Sequence, residues 1–189
     1  MGYSIAWIAT RGLAQDAVLD RQALRLTAAQ IDYPDAPIAG KPLDSGWYLV
    51  VADRCDHRIV SPAHLASLSA GCEVVACAIE EHVMVCSAEA WTDGTQAWRV
   101  EHDAQVGVDH LSVTGTPPEA LAAIKERCTL AQQGAAGESL PVDCYFEIPL
   151  ELANAIVGYR HDDAAADENS ARFTVLVDAA RRPWWQFWK

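Results

Sequence analysis

The stretch EVVACAIEEHVMVCSAEAWTDGTQAWRVEHD, residues 73–103, decides the fold of this chain of 189 residues. It contains long runs of strand-forming residues, and the last two runs are separated by the dipeptide Asp93-Gly94. Asp-Gly favours a two-residue type I′ turn, because both positions of that turn need positive φ and these residues tolerate it. The stretch therefore predicts three consecutive antiparallel strands, with Trp91 opposite Gln96 across the second turn.

The register of these strands follows from the positions of the two turns. We place the first turn at residues 81–82 and the second at residues 93–94. Three further cross-strand pairs are then predicted: Cys77 with Cys86, Glu89 with Trp98, and Ser87 with Val100. Because side chains alternate between the two faces of a sheet, this register decides which residues are buried.

One face of this three-stranded meander is predicted to be apolar and the other to be mixed. The apolar face carries Val75, Cys77, Ile79, Met84, Cys86, Ala88, Ala90 and Ala97. The mixed face places Trp91, Trp98 and Val100 beside carboxylates such as Glu80 and Glu89. We expect a sheet of this kind to have helices on one face and partial cover on the other.

The rest of the chain alternates between strand-like and helix-like segments. Strands are predicted at residues 3–9, 47–52, 111–113, 143–148 and 173–177, and helices at residues 14–27, 62–70, 117–133 and 149–157. Residues 29–45, with three prolines, are predicted to form a long loop. The fold class is α+β: one domain over residues 1–180 with a mixed, mostly antiparallel sheet, the meander at its centre and about four helices packed against it.

The charge of the chain restricts the partners that it can bind. The sequence has 14 Lys and Arg against 26 Asp and Glu, a formal net charge of −12, and its hydrophobic content is 51%. That content is typical of a folded protein rather than a disordered one. The acidity argues against broad nucleic-acid binding, which needs a basic surface. It suits a basic protein partner, although acidity also serves solubility alone.

The sequence predicts a cytoplasmic protein. The first ten residues, MGYSIAWIAT, lack the charged start and long apolar run of a signal peptide. No stretch of the sequence approaches the ~20 apolar residues of a membrane span. The six cysteines are scattered without close pairs, which is typical of reduced, buried thiols in a reducing compartment.

The triplet Cys55-Asp56-His57 is the most reactive-looking part of the sequence. A thiolate activated by an imidazole is a known nucleophile, but adjacent residues on an extended chain point apart. A small hydrolase-like enzyme is therefore an alternative function. Its site would form between residues 53–57, the turn at residues 80–82 and the acidic loop that begins at His161.

No metal or cofactor is predicted. Structural zinc sites favour closely spaced pairs of the CxxC or HxxxH type, and the sequence contains neither. It also contains no glycine-rich phosphate loop, no G-x-S-x-G motif and no dinucleotide fingerprint. The paired carboxylates lie in predicted turns and loops, where such groups are normally solvated.

Residues 181–189, RRPWWQFWK, form a separate aromatic and basic tail. Three interpretations are open: the tail covers an apolar groove of its own domain, docks into a partner or a second copy, or lies in a membrane interface. Large aromatic residues and arginines are favoured anchors in protein interfaces. The predicted partner-binding residues are Arg181, Arg182, Trp184, Trp185, Phe187 and Trp188.

These observations favour a protein-binding module over an enzyme. The leading prediction is a bacterial, cytoplasmic protein of the immunity or antitoxin type that neutralises a basic protein partner, with no nucleic acid, cofactor or transmembrane segment involved. One alternative is the small enzyme with a site near Cys55, Asp56 and His57. The other is a structural protein that self-associates, as a homo-oligomer, through the tryptophan-rich tail.

Overall fold

Nine strands pair into a single antiparallel sheet in the computed structural model, which describes residues 2–134, 143–162 and 171–179. The strands are β1 (Ser4–Arg11), β2 (Leu24–Ile31), β3 (Ile38–Pro42), β4 (Tyr48–Ala52), β5 (Glu73–Glu80), β6 (Val85–Thr92), β7 (Thr95–Asp103), β8 (Ser112–Gly115) and β9 (Phe173–Asp178). The helices are α1 (Gln15–Arg21), α2 (Pro62–Leu68), α3 (Ala120–Gly134) and α4 (Glu147–Val157), and a short 3₁₀ helix spans Arg58–Val60. The predicted α+β class is confirmed.

The strand β1 occupies the middle of the sheet, whose order is β2-β9-β3-β4-β1-β5-β6-β7-β8. The strands β5, β6 and β7 pair in chain order, but they lie in one half of the sheet, so the predicted central position of the meander is not confirmed. Every pairing is antiparallel, and the prediction of a mixed sheet was therefore wrong. The reason is that α1 leads from β1 to the far edge, where β2 lies, instead of returning the chain beside β1.

A β-bulge between Ala90 and Trp91 changes the predicted register of the second hairpin. The turn at residues 93–94 is confirmed, and Trp91 lies opposite Gln96 as predicted. At the bulge, Ala97 of β7 is the extra residue that displaces the pairing, so two predicted pairs are wrong. The observed pairs are Glu89 with Arg99 and Ser87 with Glu101.

The displaced register also exchanges the two faces of β7. Trp98 and Val100 are buried in the core that includes α3 and α4. The predicted register instead places Ala97 on this face of the sheet. The first turn spans residues 81–84 instead of 81–82, which sets Cys77 opposite Ala88. That shift is an even number of residues, so each side chain of β5 and β6 keeps its predicted face.

Three other predicted elements were wrong, the first two because pairing with distant strands decides them. The helix predicted at residues 14–27 ends at Arg21; Ala23 then adopts φ 53°, and the chain enters β2, which pairs with β9. The predicted loop at residues 29–45 contains β3. The strand predicted at residues 143–148 is a turn that leads into α4 at Glu147.

The sheet separates two hydrophobic cores. On one face α3 and α4 pack against the sheet, and the buried residues include Trp7, Leu49, Ile79 and Leu152. On the other face α1, α2 and the 3₁₀ helix cover the strands. Alternate side chains of β1 point to this face, and Ile8 is one of those buried there. A sheet with apolar residues on both faces needs cover on both, which explains the three-layer arrangement.

The register also sorts the loops to the two ends of the strands. At the end where β1 begins, called here the Ser4 end, lie residues 53–57, the turn at residues 81–84 and the segment that joins β7 to β8. At the opposite end, the Arg11 end, lie Trp47, Glu73 and the turn at residues 93–94. Within the described part of the chain, no helix has the length and apolar character that a membrane crossing requires.

Replacing Gly115 with alanine tests how closely β8 packs on β7. Gly115 has φ +70°, and a Cβ there would overlap the backbone carbonyl of Ala97. Gly46 has a similar φ of +83° but nothing within 4 Å of its Cβ position, so Gly46→Ala is a matched control. We expect Gly46→Ala to lower the free energy of unfolding by roughly 1–2 kcal/mol for the left-handed backbone alone. Gly115→Ala should lower the free energy of unfolding by about 1–3 kcal/mol more than Gly46→Ala does, because of the steric overlap. Urea unfolding of both variants measures this difference. Equal losses in both variants would contradict the close approach.

Candidate functional site

The predicted partner-binding tail lies outside the described residues. Arg181, Arg182, Trp184, Trp185, Phe187 and Trp188 all belong to the range 180–189, for which the structure gives no placement. Their role therefore stays a prediction. The candidate sites among the described residues are grouped at the Ser4 end of the sheet.

The three side chains of the triplet Cys55-Asp56-His57 have three separate partners. The thiol of Cys55 donates a hydrogen bond to Glu80 Oε2 at 3.4 Å. The exposed Asp56 lies 3.4 Å from the guanidinium of Arg54. Nδ1 of His57 accepts a hydrogen bond from the Ile59 amide at 3.4 Å and so caps the 3₁₀ helix. The imidazole is thus engaged with the backbone, and the thiol is engaged with a carboxylate.

The surroundings of Cys55 keep its thiol protonated. Burial raises the pKa of Cys55, and the nearby Glu80 carboxylate raises that pKa further, whereas the hydrogen bond with Ser4 acts in the opposite direction. A thiolate is the nucleophilic form of cysteine, so a raised pKa makes Cys55 a poor nucleophile near neutral pH.

Glu80 is held as a carboxylate by its hydrogen-bond donors. Its pKa is lowered to about 2, first by the hydroxyl of Ser4 and then by His82, whose Nδ1 lies 2.6 Å from Glu80 Oε1. The thiol of Cys55 and the backbone amide of His82 lower the same pKa. A group that remains ionised to about pH 2 does not donate a proton near neutrality, so Glu80 acts as a fixed hydrogen-bond acceptor.

A second polar cluster ties the segment after α4 to the turn at residues 81–84. His161, whose side chain is 2% exposed, places Nε2 3.0 Å from Glu81 Oε1. The other oxygen of Glu81 accepts from the backbone amide of Tyr3 at 2.8 Å, and the Tyr3 ring meets the His161 ring edge-on. Together with the hydrogen bond from Cys55 to Glu80, these contacts bring residues 53–57, the turn at residues 81–84 and the segment at His161 to the same end of the sheet.

A cleft of about 480 Å³ opens on the other side of residues 53–57. It exists because β3 and β9 pair only at Ala39–Val175 and Gly40–Thr174, so the two strands separate toward the Ser4 end. The lining includes Asp53, Arg54, His57 and Arg58 from the loop side. This volume suits a small molecule.

The charges of this cleft largely compensate one another. Arg58 donates to Asp178 Oδ1 at 3.0 Å and to the backbone carbonyl of Gln22 at 3.2 Å. Burial lowers the pKa of His57, and the charges of Arg58 and Arg54 lower it further. The imidazole is consequently neutral near pH 7, with Nδ1 already accepting the Ile59 amide.

The segment that joins β7 to β8 is fixed by a buried histidine. His102 is 0% exposed, and its Nδ1 donates to the backbone carbonyl of His110 at 2.8 Å, since a carbonyl oxygen can only accept. Its Nε2 lies 3.0 Å from Asp143 Oδ2. The amide of Asp103 in turn donates to His110 Nδ1 at 2.9 Å. Both ends of the segment are thereby held together.

The same segment presents two valines to solvent. Inside it, Asp103 accepts hydrogen bonds from the backbone amides of Gln105, Val106 and Gly107. Val106 is 70% exposed and Val108 is 62% exposed. Single exposed apolar residues are common, whereas neighbouring ones that form a contiguous patch mark interaction sites.

The loop that carries these valines leads into an edge strand. β8 is the last strand of the sheet formed by the described residues, and all four of its residues are exposed, including Val113 at 42%. We call Val106, Val108 and the strand β8 the β8 surface. Residues 100–124 include Glu101, Asp103, Asp109 and Glu119 and no Lys or Arg, and Arg99, opposite Thr114 of β8, is paired with Glu101.

Sequence reasoning missed the β8 surface. Its only local signal is the pair of valines in residues 106–108, VGV, between polar residues of a predicted connection. Their exposure follows from the bonds of His102 and Asp103, and the partners of His102 include Asp143, which is 41 residues away. A contact of that range leaves no periodic pattern in the sequence.

No known protein-family model matches this chain, and comparisons with curated proteins and with solved structures found no match either. Residues 2–134, 143–162 and 171–179 also contain no group of three or more His, Cys, Asp or Glu side chains arranged to hold a metal ion.

Replacing Glu80 with glutamine should make Cys55 more reactive. The change removes the negative charge that helps to raise the pKa of the thiol, so the thiolate should form at lower pH. The measurement is the pH dependence of alkylation of Cys55 by iodoacetamide, followed by mass spectrometry. Glu81→Gln is the matched control, since Glu81 bonds to Tyr3 and His161 and not to Cys55. An unchanged midpoint in Glu80→Gln would contradict the assigned contact.

The same substitution should weaken the acid sensitivity of the fold. The pKa of Glu80 is lowered from its ordinary value of 4.5 to about 2 in the folded state, so its stabilising effect is present above about pH 4.5 and is lost as the pH falls toward 2. Urea unfolding between pH 5 and pH 2.5 should therefore show a smaller loss of stability in Glu80→Gln than in the wild type. Identical pH dependence in the two proteins would argue against this role of Glu80.

Proposed function

We propose that this chain is a protein-binding module of the immunity or antitoxin type, which neutralises a basic protein by docking it on the β8 surface. The observation that carries the proposal is a fixed loop, with Val106 and Val108 exposed, that leads into the exposed edge strand β8. An apolar anchor pair next to an edge strand is a recurrent arrangement for binding another polypeptide.

The loop is suited to binding because it is ordered before the partner arrives. Hydrogen bonds to Asp103 and His110 hold its backbone, and His102 anchors it to the core. A surface that is already ordered loses less conformational entropy on association than a mobile one. The valines can then contribute their apolar area to affinity, and β8 offers backbone donors and acceptors for an added strand.

The charge of the chain selects the kind of partner. The net charge of −12 and the acidic stretch of residues 100–124 attract a basic protein and repel acidic ones. Such complementarity mainly speeds encounter and sets specificity, while the apolar contacts determine the lifetime of the complex. A basic toxin or nuclease fits this description, and cytoplasmic, bacterial origin stays part of the proposal.

Affinity capture with designed baits tests the proposal. A wild-type bait in lysate of the native host should retain one stoichiometric basic protein. The double variant Val106→Asn/Val108→Asn should reduce the capture of that protein at least about tenfold. This factor follows from the loss of two apolar contacts, each worth ~0.8 kcal/mol or more. Leu130→Asn is the matched control, because Leu130 is 63% exposed on α3, away from the β8 surface. Purified partner should also associate more slowly at high salt.

Three outcomes would contradict the proposal: no stoichiometric partner, an acidic partner, or equal capture by the double variant and the control. Capture of a second copy of the chain would instead favour the self-associating alternative. Removing residues 181–189 and measuring the mass in solution then shows whether the tail mediates that association.

A small enzyme acting at residues 53–57 is the alternative function. The cleft of about 480 Å³ lined by the neutral His57 supports it. The raised pKa of Cys55 and its contact with Glu80 count against a cysteine nucleophile there. In this alternative, His57 would donate a hydrogen bond from its Nε2–H to a small substrate bound between the loop and β9.

A further inference from the structure

Both ring nitrogens of the buried His102 face hydrogen-bond acceptors. Nδ1 lies 2.8 Å from the backbone carbonyl oxygen of His110, and Nε2 lies 3.0 Å from Asp143 Oδ2. A carbonyl oxygen never donates, so Nδ1 carries the single proton of a neutral imidazole. Nε2 and an ionised carboxylate would then both be acceptors. A second proton is therefore needed between Nε2 and Asp143.

The surroundings of Asp143 favour this second proton on the imidazole. The backbone amide of Phe146 donates to Asp143 Oδ1 at 3.1 Å. That hydrogen bond stabilises a carboxylate, and so does the N-terminus of α4, which begins at Glu147. With Asp143 ionised, His102 donates through both of its nitrogens and is an imidazolium. A hydrogen bond between two charged groups is also about twice as strong as one between neutral groups.

The titratable neighbours of His102 on β6 and on the segment that joins β7 to β8 are compatible with a positive charge. The His110 ring centroid is 6.3 Å from that of His102, and His110 Nδ1 accepts the Asp103 amide, so His110 is in its neutral form. Cys86 lies opposite His102 in β6 and stays a thiol, because burial and then nearby charges raise its pKa well above the usual range. The carboxylate of Asp103, the next residue in the chain, adds a negative charge.

The charges at the start of α4 leave Asp143 as the counter-ion of His102. Glu147 also acts on the Cys86 thiol opposite His102, but its carboxylate lies 2.9 Å from the guanidinium of Arg160. These two charges compensate each other. The carboxylate of Asp143, in contrast, is bonded to the His102 ring itself.

We propose that the ion pair of His102 and Asp143 is a proton-dependent latch for the segment that joins β7 to β8. The pair ties this segment to the start of α4, 41 residues further along the chain. When the Nε2 proton is lost at higher pH, the lone pair of Nε2 faces the carboxylate and the two atoms repel each other. The segment that carries Val106 and Val108 then loses its anchor. The consequence for partner binding rests on the proposed function, whereas the latch itself is a property of the free protein.

The protonation state of His102 is measured on the wild-type protein. In long-range ¹⁵N–¹H spectra of the histidine rings near neutral pH, we expect both ring nitrogens of His102 to carry protons. A single protonated nitrogen would overturn the proposal. Because this measurement uses no variant, it decides the question even where a substitution prevents folding. It also uses no partner, so a failed affinity capture would count against the proposed function and not against the latch.

Asp143→Asn is the matched variant for the latch. Its amide oxygen can still accept from Phe146 and its amide nitrogen can donate to Nε2, so His102 becomes neutral without losing a hydrogen bond. Hydrogen exchange of the Asp103 and Phe146 amides, corrected for intrinsic pH dependence, reports the opening. Between about pH 6 and about pH 9 it should rise about tenfold or more in the wild type, as the loss of one hydrogen bond to a charged group predicts, and stay constant in Asp143→Asn. Equal protection of both proteins over this range would overturn the latch.

Discussion

The pairing of β1 with β4 on one side and with β5 on the other is the constraint on which the rest of the structure depends. Ala6 lies opposite Ala52 in β4 and opposite Ala78 in β5, so one short strand aligns segments far apart in sequence. The alternating side chains of β1 enter both hydrophobic cores. Once these registers are set, the loops that follow β4 and β5 must meet at the Ser4 end, which is why Cys55 reaches Glu80.

The polar groups at the Ser4 end hold separate loops together. Glu80 and Glu81 each accept hydrogen bonds from another segment of the chain, and His102 holds the connection between β7 and β8 from inside the core. Ordered loops of this kind present a surface of defined shape.

Local signals in the sequence predicted the elements that local chemistry controls. The turn at Asp93-Gly94, the proline at the start of α2 and the left-handed Gly158 at the end of α4 each follow from the conformational preference of one or two residues. The bulge after Ala90 escaped prediction because its cause is the fit between β6 and β7. The strand β2 escaped it because residues 24–27 continue a helical pattern, and pairing with β9 outweighs that local preference.

By itself, the sequence determined the α+β class, the acidity and the residues available for chemistry, since composition and short-range periodicity depend only on neighbours along the chain. Tertiary structure alone decided which of those residues meet. It separated Cys55 from His57 by giving each a different partner, exposed Val106 and Val108 on a loop anchored through His102, and buried Trp47. The physical reason is that contacts between distant strands are set by the pairing of the whole sheet, which no single stretch of the chain encodes.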